Sequence, residues 1–536
     1  MSQWASVPVC RCAGVPAKCG EDKLSHSEVH SRLTYWHTGP PAPLASILAL
    51  DQGTTSSRAL VIHQDGTILG SGQREFRQHY PRPGWVEHDP EELVSSTLEA
   101  ARAALAASRE RPIGIGLTNQ RETLVLWERK SLQAVAPAIV WQDRRTAERC
   151  RELREAGAEA QIRATTGLVL DPYFTATKLE WLLQSPELRL RAQRGELAAG
   201  TVDSWLIARL TGGRSHVTDP TNASRTLLYS LAAGGWDPGL AGLFGVPDEL
   251  LPAIVPSSGV CGESEAALLG VALPIAGIAG DQQAALFGQG CVAPGMVKNT
   301  YGTGAFLLLY TGEQPPEPPP GLLATAACAA SGGRGFALEG SVFIAGAVIQ
   351  WLRDGLGVLH DSAESAALAR SVPDTGGVHF VPAFVGLGSP YWEPAARGTI
   401  TGLTRGTTRA HLVRAALEAI AFSSADLLDA MLAGTGLTIQ NLRVDGGATA
   451  NDWLMQFQAD LLGVSVERPD LVETTALGAA ALAGMALGIW PSLEAFVATR
   501  RHTRFTPRAT AEERASLLRG WQRAVDAALH WARFPG

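Results

Sequence analysis

The sequence predicts an α/β protein of two related lobes, and three observations carry the prediction. Short apolar strands alternate with amphipathic helices from about residue 46 onward. Strands at 47–50, 275–279 and 442–444 each lead to a carboxylate, Asp51, Asp281 or Asp445. The pair Asp51-Gln52 recurs as Asp281-Gln282, which suggests a repeated unit with a boundary near 290–295.

Each element has its own local reason. The strand at 47–50 ends at Asp51, a Gly/Thr/Ser turn follows, 59–63 resumes as a strand, and Asp65-Gly66 reads as a hairpin turn into 67–71. Asp89 as N-cap and Pro90 at the first helical position open a helix to about 107, with Leu93, Leu98, Ala101 and Leu105 on one face. A strand at 113–117 and a helix at 145–156 come next. Residues 282–287 read as a helix after the strand at 275–279, and the strand at 442–444 runs through Gly446-Gly447 into a helix at 451–462. The Pro-rich 315–320 is a rigid surface connector.

Composition excludes several classes of function. With 46% hydrophobic and 18% charged residues, the chain is neither disordered nor a coiled coil. Its net charge of -7 comes with no basic block, which argues against nucleic acid as main partner. The longest apolar stretches, 268–280 and 476–490, fall short of the roughly 18 residues that span a bilayer, so no membrane span is expected. Seven Cys without a C-x-x-C pair point to a reducing, cytoplasmic setting. Residues 1–46 read as a poorly ordered extension; Cys10, Cys12, Cys19, His26, His30 and His37 match no zinc spacing.

The motifs narrow the field further. No Gly precedes any of the five Lys, so there is no Walker loop, and G-x-G-x-x-G, H-R-D, D-F-G, H-E-x-x-H and G-x-S-x-G are all missing. What is present is Asp51-Gln-Gly-Thr-Thr-Ser-Ser-Arg58, a loop offering backbone amides, hydroxyls and a guanidinium to phosphate oxygens, headed by a carboxylate suited to Mg²⁺. Asp281 stands at a strand's carboxyl end, where open α/β sheets bind ligands; it fits either a base for a substrate hydroxyl or a helix N-cap. Two more Gly-rich loops, Asn299–Gly304 and Asp445–Asn451, also adjoin strands, and four such loops fit a nucleotide cleft between two lobes. Arg121-Glu122 is either a donor and acceptor grip for hydroxyls or an ordinary ion pair. Trp141, Tyr173 and Phe306 read by themselves as core residues.

Taken in order, A-L-D-Q-G-T-T-S-S-R-A, P-G-W-V-E-H-D-P, T-N-Q-R-E-T, I-V-W-Q-D-R-R-T-A, D-P-Y-F, G-T-V-D-S-W-L, T-N-A-S-R-T, I-A-G-D-Q-Q-A-A-L-F-G-Q, K-N-T-Y-G-T-G, Q-W-L-R-D, S-P-Y-W and V-D-G-G-A-T-A-N resemble the glycerol kinases of the FGGY carbohydrate-kinase family, from about 47 to about 531. The resemblance implies two lobes of the actin/Hsp70/sugar-kinase (ribonuclease H-like) type, 47–290 and 291–536, closing over ATP and substrate. It implies ATP-dependent phosphorylation of glycerol to sn-glycerol 3-phosphate by a homodimer or homotetramer.

By motif match, glycerol is held by Arg121, Glu122, Tyr173, Asp281 and Gln282, with Trp141 and Phe306 as an apolar wall. The nucleotide meets Thr54, Thr55, Ser56, Arg58 and Thr303, and Gly346, Gln350, Gly447 and Asn451 line the rest of its site. Asp281 is similar to the family's base, and Mg²⁺ is expected near Asp51 and Asp281. Departures concern regulation: residues 267–273, where some relatives bind fructose 1,6-bisphosphate through an Arg, hold no basic side chain. Other readings are a kinase for another polyol or ketose of the same family and an actin- or Hsp70-like ATPase, which gives Arg121-Glu122 no task.

Overall fold

A computed structural model describes residues 45–329 and 332–534. The expected N-terminal extension lies almost wholly outside them.

Two mixed sheets organise the described chain. The first is built from β1 (Ser46–Gln52), β2 (Ser56–His63), β3 (Ile68–Glu75), β4 (Ile115–Asn119), β5 (Ser258–Glu263) and β6 (Pro274–Gly280), in the order β5-β6-β4-β1-β2-β3. Strands β1, β4 and β6 run parallel, and β2, β3 and β5 are antiparallel to their neighbours. The second has β7 (Val297–Tyr301), β8 (Ala305–Gly312), β9 (Leu323–Cys328), β10 (Arg334–Val342), β11 (Asn441–Asp445), β12 (Ser465–Pro469) and β13 (His502–Phe505), in the order β9-β10-β8-β7-β11-β12-β13. Here β7, β11 and β12 are parallel and the others antiparallel.

The same core recurs in both lobes: three antiparallel strands, β1-β2-β3 or β7-β8-β10, beside two parallel strands, β4-β6 or β11-β12, with β9 added outside β10 in the second lobe. That duplication corrects the sequence-based repeat. Asp51-Gln52 and Asp281-Gln282 are not one pair per lobe; both belong to the first sheet, at the ends of β1 and β6. The strand expected at 113–117 forms at Ile115–Asn119. Ile113 is solvent-exposed, whereas Thr118 and Asn119 are fully buried between β1 and β6, so sheet pairing overrides the apolar pattern.

The main helices are α1 (Pro90–Ala107), α2 (Thr175–Leu182), α3 (Asp281–Gly288), α4 (Gly346–Asp354), α5 (Arg409–Ala433), α6 (Asp452–Leu462), α7 (Thr474–Ala486) and α8 (Ala511–Ala532). Asp89 caps α1 as expected, accepting from the Glu91 amide at 2.8 Å. Helix α7 packs against the first sheet and α3 although it lies between β12 and β13 of the second sheet in sequence, burying Ala476, Leu477, Ala480 and Ala483 with Ile47, Ala49 and Ala276. Its small residues have a reason: a Cβ on Gly116 of β4 would stand 2.1 Å from the Ala479 carbonyl oxygen, so helix and sheet meet backbone to backbone. Residues beyond 291 thus complete the first lobe.

Candidate active site

Parallel pairing brings the carboxyl ends of β1, β4 and β6 together: Gln52 lies beside Asn119, and Asn119 beside Gly280. Asp51, Arg121, Glu122 and Asp281 all issue from this rim, where open α/β sheets gather ligands. Behind it, the Gly280 amide donates to Thr221 Oγ1 at 2.8 Å and Asn119 Nδ2 to Asn222 Oδ1 at 3.0 Å, which fixes the strand ends.

Arg121 and Glu122 are both buried, and neither is the other's main partner. Arg121 donates through Nη1 and Nη2 to the two oxygens of Glu339 on β10, at 2.6 and 2.8 Å, and its Nε stands 3.2 Å from Asp281 Oδ1. Glu122 accepts instead from Arg225 Nε at 2.6 Å, and Arg225 Nη2 reaches Glu339 Oε1 at 3.1 Å. The result is a closed square of two guanidiniums and two carboxylates. Burial works to raise the Glu339 carboxyl, but Arg121 and Arg225 outweigh it and hold it down to about 2. Glu122 has φ 62, a left-handed conformation uncommon outside Gly, and its carbonyl accepts from Thr175 Oγ1 at 3.1 Å and Lys178 Nζ at 3.4 Å. Lys178, on α2, also donates to the Tyr173 carbonyl at 2.6 Å, and burial pushes its ammonium down to about 8.

Asp281 is the first residue of α3, whose N-cap is Gly280, and makes no side-chain capping bond to the next turn. Among the described residues it accepts only from the neighbouring Gln282 amide, at 2.7 Å, and from Arg121. Of the two readings of this residue, the cap is therefore the weaker. Burial first, and then the charge of Asp281, raise the Asp51 carboxyl to about 7. Two hard anionic donors that repel one another fit a Mg²⁺ ion, which takes one or two protein carboxylates and fills its shell with water and phosphate oxygens. Among the described residues no group of three or more His, Cys, Asp and Glu is placed to hold a metal.

The expected apolar wall is Trp141 with Phe306. Trp141 and Tyr173 meet edge to face at 5.5 Å, and Trp141 Nε1 donates to Thr54 Oγ1 at 3.0 Å, which ties this wall to the phosphate loop. Phe306, on β8 opposite Thr300 and Ser341, makes no ring contact with either among the described residues. Thr54, Thr55 and Ser56 form the β1–β2 turn, closed by the Gly53 amide on the Ser56 carbonyl at 3.0 Å. Arg58 pairs with Glu473, just before α7, and with Gln73 at 3.1 Å.

The equivalent turn of the second sheet is the β7–β8 turn, Gly302-Thr303-Gly304. The Ala345 and Ala347 amides donate to the Thr303 carbonyl at 2.8 and 3.1 Å, knitting the turn to the start of α4, where Gly346 sits and Gln350 is exposed. Gly446 has φ 88, and a Cβ there would lie 2.4 Å from the Tyr301 carbonyl oxygen, so only Gly lets the loop after β11 approach the end of β7. A Cβ on Gly447 would meet nothing within 4 Å: that backbone borders open space, as a nucleotide cradle requires. Asn451 caps α6, accepting from the Leu454 amide at 3.1 Å, and donates to Ser365 Oγ at 3.2 Å.

Residues 46–288 match the model of the FGGY family of carbohydrate kinases, N-terminal domain, and residues 297–487 match that of its C-terminal domain. The chain belongs to the FGGY family. A glycerol kinase of Aromatoleum aromaticum is 55% identical over 493 residues, covering 91% of this chain and 99% of that protein. One from Trichlorobacter lovleyi is 56% identical over 497 residues, covering 91% and 100%. Among solved structures, Plasmodium falciparum glycerol kinase with ADP superposes with a TM-score of 0.86 at 34% identity, over 91% of this chain and 98% of that one. A gluconate kinase from Lactobacillus acidophilus shares the fold at TM-score 0.82 and 22% identity, over 91% and 98%.

Three residues that hold this candidate site together escaped the sequence reading: Glu339, Arg225 and Lys298. Each is fully buried. Glu339 stands inside the otherwise apolar run F-A-L-E-G of β10, and a charge in such a strand needs a partner, which was the available signal. The sequence also showed no cation in residues 267–273, but Arg102 Nε, from α1, donates to the Leu268 carbonyl at 2.9 Å.

Proposed function

We propose that this FGGY kinase phosphorylates glycerol with ATP, forming sn-glycerol 3-phosphate and ADP. The observation that carries the reading is the buried square of Arg121, Glu122, Arg225 and Glu339, with Asp281 beside Arg121, at the mouth of the first sheet. Glycerol kinases 55% and 56% identical over nine-tenths of the chain support the same substrate.

In this reading Arg121 and Glu122 supply a donor and an acceptor to neighbouring hydroxyls, and Tyr173 and Gln282 complete the polar grip. Asp281 takes the proton of the primary hydroxyl as its oxygen bonds to the γ-phosphorus, and ADP departs with the electrons of the broken P–O bond. Arg121 Nε holds that carboxylate in place at 3.2 Å. Amides and hydroxyls of Thr54, Thr55, Ser56 and Thr303 orient phosphate oxygens, and Gly346, Gln350, Gly447 and Asn451 border the nucleoside. Trp141, with Phe306, presents apolar surface to the carbon chain. Asp51 and Asp281 would hold Mg²⁺, which when bound supplies charge neutralisation between the phosphates. The lobes at 47–290 and 291–536, with α7 returned to the first, are the two jaws.

We further propose that the enzyme works in the cytoplasm as a homodimer or homotetramer. No helix among the described residues is long and apolar enough to cross a membrane. The deciding experiment is ADP release across a panel of polyols and ketoses with ATP and magnesium. Glycerol alone should turn over fast; faster turnover of a pentulose or of gluconate would refute the assignment.

A further inference from the structure

Lys298 is fully buried on β7, and among the described residues no carboxylate pairs with it directly. Its ammonium donates to Gln282 Oε1 at 2.5 Å and to Thr300 Oγ1 at 2.8 Å. Asp281, Glu339 and Asp445 surround it at longer range, with Arg121 opposing them. A buried ammonium without an ion pair is costly, so a task is to be expected of it.

The task follows from the chemistry of an amide. A Gln side chain presents an acceptor at one end and a donor at the other, and a half-turn exchanges them. An ammonium only donates, so the end of Gln282 that faces Lys298 is the oxygen. The amide nitrogen then points the other way, and among the described residues nothing accepts from it. Gln282 is 8% exposed and neighbours Asp281, so the small opening it retains lies at the site. Lys298 belongs to the second sheet and Gln282 to α3 of the first lobe, so the constraint is applied across the cleft.

We propose that Lys298 is a positioning residue: it locks the Gln282 amide with its nitrogen toward the substrate, so that the site demands a hydroxyl oxygen there. The proposal rests on glycerol being the substrate and on Gln282 lying in its site. It makes Lys298 a determinant of selectivity for a triol over a diol, because a diol lacking that oxygen leaves a buried donor unpaired.

A double-mutant cycle tests it, with Lys298→Met, Gln282→Leu and the double variant assayed for glycerol, ATP and the two propanediols. Lys298→Met should raise the glycerol KM about 10-fold, the worth of one fixed hydrogen bond, with kcat and the ATP KM within about 2-fold. The preference for glycerol over one of propane-1,2-diol and propane-1,3-diol should fall by a similar factor. In the Gln282→Leu background the same change should cost less than about 2-fold, because the interaction it removes is already gone. A full loss in that background, an equal rise in the ATP KM, or unaltered diol discrimination overturns the proposal. Should Lys298→Met fail to fold, Gln282→Glu decides: it keeps a partner for Lys298 but has no donor, so a wild-type glycerol KM overturns the idea and a rise of about 10-fold or more supports it. An inactive wild-type protein with glycerol refutes the substrate assignment and this proposal together; an active wild type with an additive cycle refutes only the role of Lys298.

Discussion

Replacing Glu339 by Gln separates a charge square that holds the substrate site from one that merely fills space. Glu339 is wholly buried and accepts from Arg121 at 2.6 and 2.8 Å and from Arg225 at 3.1 Å. Gln keeps the shape but turns one acceptor into a donor facing a guanidinium, leaving the two buried cations with only Glu122 between them and Asp281 beside Arg121. A carboxyl titrating at about 2 in the fold against an ordinary 4.5 contributes about 3 kcal/mol at neutral pH. Breaking a buried ion pair costs ~3–5 kcal/mol by the same logic. The sign is that of a depressed acid: the contribution is complete above pH 4.5 and lost as pH falls through about 2. Urea unfolding followed by tryptophan fluorescence should therefore place the Glu339→Gln midpoint well below wild type at pH 7, with the gap narrowing as pH falls below 4.5. With Arg121 released, the glycerol KM should rise about 10- to 100-fold, as for a lost hydrogen bond to a charged group. Equal midpoints at pH 7, a gap indifferent to pH, or an unchanged KM would refute the reasoning.

Four further outcomes are expected. Asp281→Asn should lower kcat by at least roughly 100-fold with little change in Tm, since Gly280 is the N-cap of α3; rescue by excess magnesium in a titration would mark a metal role instead. Asp203 is buried, hydrogen-bonded by Thr201 and Thr218, and raised to about 7 chiefly by burial. A raised acid stabilises most below its unfolded pKa near 3.8 and loses that contribution as pH climbs through about 7, up to about 4 kcal/mol, so Asp203→Asn should raise the denaturation midpoint at pH 8 and barely alter it at pH 4. Trp141→Phe keeps the apolar wall but removes the donor to Thr54; the ATP KM should rise about 2- to 10-fold, more than the glycerol KM. Deleting residues 1–44 should leave turnover and Tm nearly unchanged, because no proposed site residue lies there, and collapse of either would show that the segment is needed.

The sequence made legible what local chemistry dictates. The hairpin after Asp51, the Asp89 cap and the carboxylate beyond Gly280 follow from turn residues, capping preferences and strand ends. Tertiary pairing was not legible. That Glu122 faces Arg225 rather than Arg121, or that Arg58 reaches Glu473, depends on segments 103 and 415 residues apart. The stretch 476–490 read only as an apolar run too short to span a bilayer; that most of it is a helix crossing back to the first sheet is decided by the match of its small residues to Gly116. Lys298 and Lys178 were visible as two of only five lysines, yet their full burial, which gives them meaning, exists only in the fold.

The placement of these groups has a consequence for how the site forms. Arg121 and Gln282 belong to the first lobe, and the groups that hold them, Glu339 and Lys298, belong to the second. Were the lobes to part by a few ångströms, Arg121 would lose a bidentate carboxylate and Gln282 its ammonium partner, so two of the contacts proposed for the polyol would lose their geometry together. The pairing is expensive, since each buried charge forfeits its hydration and repays it only with its partner in place. That expense ties the polar grip on the hydroxyls to the approach of the phosphate loops on the opposite jaw. An arrangement that is complete only when the lobes meet favours transfer to the bound hydroxyl over transfer to water, because the geometry that orients the acceptor and the geometry that encloses the phosphates are one state of the chain.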